Sequence, residues 1–162
     1  MDQTFMLRAL AEARQAAEEG EIPVGAVVVR GEQIIASAHN QREALRDPTA
    51  HAEMLAITQA SESVNSWRLT DCTIYVTLEP CPMCAGAILN ARIARVVYGA
   101  PDAKSGAVES LFRLLGDARL NHRAEIVRGV LSDECRWLLT EFFAERRQAG
   151  GRQAGGRQAG EH

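Results

Sequence analysis

Between residues 24 and 98 the sequence alternates β-rich runs with helix-patterned segments over short connections, which confines the chain to an α/β architecture. Residues 24–29 and 33–38 are β-rich and flank Gly31, whose turn geometry predicts an antiparallel hairpin. A helix is expected over residues 50–61, a strand over 73–78, a helix over 82–91 and a strand over 94–98. Helices that follow strands in this way pack on the faces of a central mixed sheet. Met6, Leu10, Ala13 and Ala17 form one stripe of an opening amphipathic helix over residues 2–20, stopped by Gly20. Further on, the pattern predicts a helical stretch near 108–115, a short strand at 125–127 and a terminal helix. Cys135, Leu138, Leu139, Phe142 and Phe143 lie on one face of that last helix. Residues 40–49 read as loop.

A chain of 162 residues, 46% hydrophobic and 24% charged, can bury one core without staples. That domain is expected over residues 1–147. Beyond it the motif RQAGG at 147–151 recurs at 152–156 and, truncated, at 157–160, so residues 148–162 are expected to be a low-complexity, disordered tail. No apolar run approaches the roughly 18 residues a membrane helix needs, and the first residues carry acids where a secretion signal would be basic and then apolar. The expectation is therefore a cytoplasmic protein without membrane contact. Its net charge of −3 excludes a non-specific polycation. A basic excess between residues 91 and 128 still allows a locally basic face, resting on Arg92, Arg95, Lys104, Arg113, Arg119, Arg123 and Arg128, unless these are scattered surface charges.

Two constellations carry chemistry: His51-Ala52-Glu53 and Pro80-Cys81-Pro82-Met83-Cys84. One imidazole and two thiols are the ligand set of a zinc site whose fourth position is open, as catalysis requires. Cys72 and Cys135 fall outside any tight ligand spacing and read as small core residues. Cys81 and Cys84, at i and i+3, share the face of the helix they open, where free N–H groups favour thiolates. His51 and Glu53 would diverge by roughly 200° on a helix body, so both reach one site only at a helix mouth. Zinc is therefore expected where the N-termini of two helices converge. Two thiolates weaken the ion as a Lewis acid, and Glu53 is the residue placed to move the proton of its water. Alone, an HxE or a CxxC is commonplace; together each supplies what the other lacks.

Beyond that signature, the stretches IPVGAV (22–27), DPTAHAEM (47–54), VTLEPCPMCAGAI (76–88), DAKSG (102–106) and LNHR (120–123) resemble the bacterial tRNA-specific adenosine deaminases of the cytidine/deoxycytidylate deaminase superfamily. The resemblance covers residues 5–147. It implies a three-layer α/β/α fold with a five-stranded mixed sheet, one zinc ion per subunit, and hydrolysis of adenosine to inosine at wobble position 34 of a tRNA anticodon loop, with the arginine tRNA of anticodon ACG as the expected substrate. Metal ligands would be His51, Cys81 and Cys84, with Glu53 catalytic. By the same carry-over Asn40 would address the sugar, the Ala52 backbone the base edge and Val24 the pocket wall, while Asp102, Lys104, Asn121, Phe143, Arg146 and Arg147 would meet flanking nucleotides. A homodimer acting on the anticodon stem-loop is likewise implied. The motif alone leaves two alternatives open: a zinc deaminase of a free nucleobase or nucleoside (guanine, cytosine or cytidine), and a zinc-stabilised RNA-binding module.

Overall fold

The computed structural model describes residues 1–152, which fold around one five-stranded sheet. Its strands are β1 (Gly25–Arg30), β2 (Gln33–His39), β3 (Cys72–Leu78), β4 (Arg95–Ala100) and β5 (Glu125–Val127), in the order β2-β1-β3-β4-β5. β1 pairs antiparallel with both β2 and β3, whereas β3–β4 and β4–β5 are parallel, so the sheet is mixed as expected. The hairpin closes across Gly31, whose φ of +64° is the left-handed geometry a tight turn needs.

The helices are α1 (Asp2–Glu18), α2 (Arg42–Leu45), α3 (Ala52–Val64), α4 (Pro82–Ala91) and α5 (Ser132–Arg152). Strand alternation sorts the core into two halves. Ala26, Val28, Ile74, Val76 and Val96 point to the face covered by Ala52, Ala56 and Ala60 of α3 and Ala85 and Ile88 of α4. Val27, Val29, Tyr75 and Val97 point to the opposite face, under Phe5, Met6, Ala9 and Leu10 of α1 and Cys135 and Leu138 of α5. This is the expected three-layer arrangement. Small residues let the helices sit close: a Cβ at Gly25 would meet the α1 backbone at Ala9 O and, at 2.6 Å, Ala13 N. Cys72 and Cys135 are buried core residues, also as expected.

Two local expectations are corrected. Residues 40–49 are not all loop, because Glu21, only 2% exposed, accepts hydrogen bonds from the N–H groups of Glu43 (2.9 Å) and Ala44 (3.0 Å) and so caps the short helix α2. The stretch at 108–115 forms turns instead of a helix. The N–H groups of Val108, Glu109 and Ser110 donate to the carboxylate of Glu79, and those of Leu111 and Phe112 both go to Gly106 O, so the apolar pattern there wraps a buried anion. At the other end, α5 continues past residue 147 to Arg152, and residues 153–162 of the expected tail lie outside the described residues.

Candidate active site

The site forms at the mouths of α3 and α4. Asp47 builds the approach to α3: its carboxylate accepts from Thr49 N–H (2.8 Å) and Thr49 hydroxyl (2.7 Å), a side-chain turn that holds the Asp47 carboxyl below its ordinary range. His51 follows as the N-cap residue of α3 in extended conformation, with Glu53 in the first turn. On the other side β3 runs into Glu79 and Pro80, Cys81 is the N-cap of α4, Pro82 occupies the first helical position, and Cys84 completes the first turn. The N-termini of the two helices thus meet as the HxE and CxxC spacings require.

His51 Nδ1 lies 3.6 Å from Cys81 Sγ and 3.5 Å from Cys84 Sγ, and the three ligand atoms lie within 4.8 Å of one another. Zinc–nitrogen and zinc–sulfur bonds of about 2.0 and 2.3 Å at a tetrahedral angle require an N–S separation of about 3.5 Å. The separations of His51 from both sulfurs therefore match such an ion. Their protonation is interlocked. The thiol of Cys84 donates to Cys81, which with the His51 contact holds Cys81 down at about 4. The Cys84 thiol is pushed up by that same bond, by burial and by the Glu53 carboxylate. His51 is raised, chiefly by its bond to Cys81. A cation among these groups would drive off the remaining thiol proton. Glu53, 4% exposed, is pushed up by burial, which favours its proton-carrying form.

These groups open into a cavity of about 490 Å³, within the range of small-ligand sites. Of the sequence-predicted residues, Val24, Asn40, His51, Ala52, Glu53, Cys81, Asp102, Lys104 and Phe143 line it. Cys84 is fully buried behind the wall. Asn40 is held on both sides, its amide donating to Ile22 O (3.3 Å) and its carbonyl accepting from Arg42 N–H (3.1 Å). The carboxylate of Asp102 is engaged within its own turn, accepting from the N–H groups of Lys104 (3.1 Å) and Ser105 (3.2 Å). Asn121 and Arg147 are exposed and do not line the cavity. Arg146 lies beside it, over the Phe142 ring at 4.7 Å and donating to Gly20 O at 3.0 Å. Arg42 and Glu79 line the cavity without having been singled out from sequence, and Leu139, read there only as part of an apolar helix face, lines it as well. A lone acid ending an apolar strand was the available signal for Glu79. The basic residues between 91 and 128 do not make one continuous free stripe: Arg95 pairs with Asp2, Arg119 with Asp117 and Arg128 with Glu109.

A fold and site of this kind define a deaminase, and comparison with known proteins agrees. The MafB19-like deaminase family matches residues 1–146. A tRNA-specific adenosine deaminase of Bacillus subtilis (strain 168) is 50% identical over 147 residues, covering 91% of each chain. A solved structure from studies of A-to-I editing by tRNA:A34 deaminases at the wobble position of transfer RNA shares 45% identity, with a TM-score of 0.81 over 84% of this chain and 99% of the other. Guanine deaminase of Nitrosomonas europaea, at 22% identity, shares the fold with a TM-score of 0.77 over 88% of this chain and 84% of its own. The chain belongs to the MafB19-like deaminase family, in the group of the tRNA-specific adenosine deaminases.

Proposed function

We propose that this protein hydrolyses adenosine to inosine at wobble position 34 of a tRNA anticodon loop, with the arginine tRNA of anticodon ACG as substrate, in the cytoplasm. The observation that carries the reading is the meeting of His51 Nδ1 with the Cys81 and Cys84 sulfurs, at 3.6 and 3.5 Å, beside the buried Glu53 carboxyl in the cavity. The relatives named above support the choice of adenosine in tRNA over a free base.

His51, Cys81 and Cys84 would hold one zinc ion per subunit, which when bound supplies the Lewis acidity that makes water nucleophilic at neutral pH. Glu53 takes one proton of the attacking water and delivers it to N1 of the adenine as a C–O bond forms at C6, then takes the second water proton from the C6 hydroxyl and passes it to the amino group as the C6–N bond breaks and the C6 carbonyl forms. Water and adenosine thus become inosine and ammonia. Asn40, fixed between Ile22 and Arg42, binds the sugar of the flipped nucleotide; the Ala52 backbone reads the base edge, and Val24 walls the pocket. Asp102, Lys104 and Phe143 on the rim, with Asn121, Arg146 and Arg147 farther out, meet the flanking nucleotides of the splayed loop. The working unit is a homodimer. Residues 1–147 carry the activity, and the repetitive tail is dispensable for chemistry.

The test is incubation with an anticodon stem-loop beside free adenosine, cytidine and guanine, with the edited position located by mass analysis. Inosine at position 34 is expected. Turnover of only a free base or nucleoside refutes the tRNA assignment, and binding of RNA with no turnover of any substrate refutes the enzyme.

A further inference from the structure

We propose that Glu79 is a positioning residue whose buried carboxylate fixes the backbone of the 102–110 loop and so sets where Asp102 and Lys104 stand at the pocket rim. The part of this that concerns substrate rests on the deaminase reading above. Glu79 leaves β3 two residues before Cys81 and is 2% exposed. One carboxylate oxygen accepts from Asp102 N–H at 3.1 Å and from the Ser110 hydroxyl. The other accepts from the N–H groups of Val108 (3.1 Å), Glu109 (2.9 Å) and Ser110 (3.0 Å). No cation pairs with it among the described residues, so a buried charge is satisfied almost wholly by loop backbone.

The loop has no helix or strand of its own, although Ala107, Val108 and Leu115 pack into the core and Glu109 pairs with Arg128 at 2.8 Å. Residues 101–124 form turns, and Ala107 N–H donates to Pro80 O at 2.8 Å, one residue from a metal-binding cysteine. Gly106 marks the point of closest approach, since a Cβ there would collide with the Glu79 carboxylate and with Asp102 O. Packing alone could have buried this loop with an apolar side chain. Directional bonds from both oxygens instead tie its two ends, at 102 and at 108–110, to the strand that delivers Cys81. Rim and metal cradle are thereby held in one frame.

The experiment compares the zinc-loaded wild-type protein with Glu79→Gln, which keeps the size of the side chain but turns one acceptor oxygen into an NH₂ facing loop donors. Amide hydrogen exchange at Asp102 and residues 108–110 is expected to quicken by about tenfold or more, the KM for an anticodon stem-loop to rise by about tenfold, and kcat to change by less than about threefold, with zinc content preserved. Gly106→Ala, pressing on the loop from the other side, is expected to raise KM in the same way, and it decides the matter alone if Glu79→Gln does not fold. Unaltered exchange in Glu79→Gln overturns the loop assignment. A fall in kcat with KM unchanged overturns the positioning role. A wild-type protein that leaves the stem-loop unedited overturns the functional reading instead, while exchange still reports on the loop.

Discussion

His51 Nδ1 and Cys84 Sγ stand 3.5 Å apart although 33 residues separate them. Each belongs to the start of a different helix on the same face of the sheet, so their meeting depends on how β1, β3 and β4 order those helices. Removing one of the pair should undo the site. Cys84→Ala is expected to purify without zinc, against one ion per chain in the wild type, and to retain under about 1% of the activity, because a catalytic zinc needs three protein ligands. Metal analysis beside a deamination assay checks this, and full activity in a metal-free preparation would falsify the zinc role.

Glu53→Gln should separate chemistry from stability. Deamination is expected to fall by about 10²- to 10⁴-fold, the usual scale for losing a general acid–base group, with zinc retained. Because burial pushes the Glu53 carboxyl up, the neutral amide is expected to leave the melting temperature equal or higher. A variant that unfolds more readily and loses metal would make Glu53 a structural residue.

His39 is held between an acid of α1 and the acid that caps its C-terminus, with Nδ1 2.6 Å from Glu12 and Nε2 2.8 Å from Glu19. Burial opposes its charge, but those two hydrogen bonds win and its pKa is raised. The stability it contributes is therefore fully present below the unfolded value of about 6.5 and is lost as pH rises through the higher folded value. His39→Gln should cost more melting temperature near pH 5.5 than near pH 9. Equal losses at both would refute it.

Asp2 gives the opposite sign. Its bidentate pairing with Arg95, helped by the Tyr75 hydroxyl, holds the Asp2 carboxyl down at about 2. The resulting stability, about 1 kcal/mol after discounting for solvent screening, is present above the unfolded value of about 3.9 and is lost as pH falls toward 2. Asp2→Asn should flatten the acid limb of the unfolding curve there and leave neutral-pH activity intact.

Gly25→Ala tests the closeness of α1 to the sheet. The added methyl meets Ala13 N at 2.6 Å and Glu12 Cβ at 2.8 Å, all on one helix, so α1 must lift. A loss of about 1–3 kcal/mol in urea unfolding is expected, the scale of overpacking.

Much of this architecture was legible because its elements advertise themselves. The alternation from residue 24 to 98 reports strands buried on both faces and helices between them, and the HxE and CxxC spacings demand two helix mouths. What stayed hidden was decided by long-range polar contacts. Nothing local in residues 108–115 says that three consecutive N–H groups will turn toward a carboxylate about 30 positions earlier, and their apolar spacing mimics a helix. Nor does the segment after Asn40 reveal that Glu21 will cap a short helix there. The rim residues were half legible: Asp102 and Lys104 line the cavity, whereas Asn121 and Arg147 point to solvent, a choice made by loop paths that no periodicity encodes.

The placement of the ligands also orders events during synthesis. His51 emerges from the ribosome a whole helix and a strand before Cys81 and Cys84, and a nascent chain shorter than that has only an isolated imidazole to offer. All three side chains can share one point only once β3 lies beside β1 and α4 has begun to wind, so any ion that needs the complete set would report the assembly of the sheet.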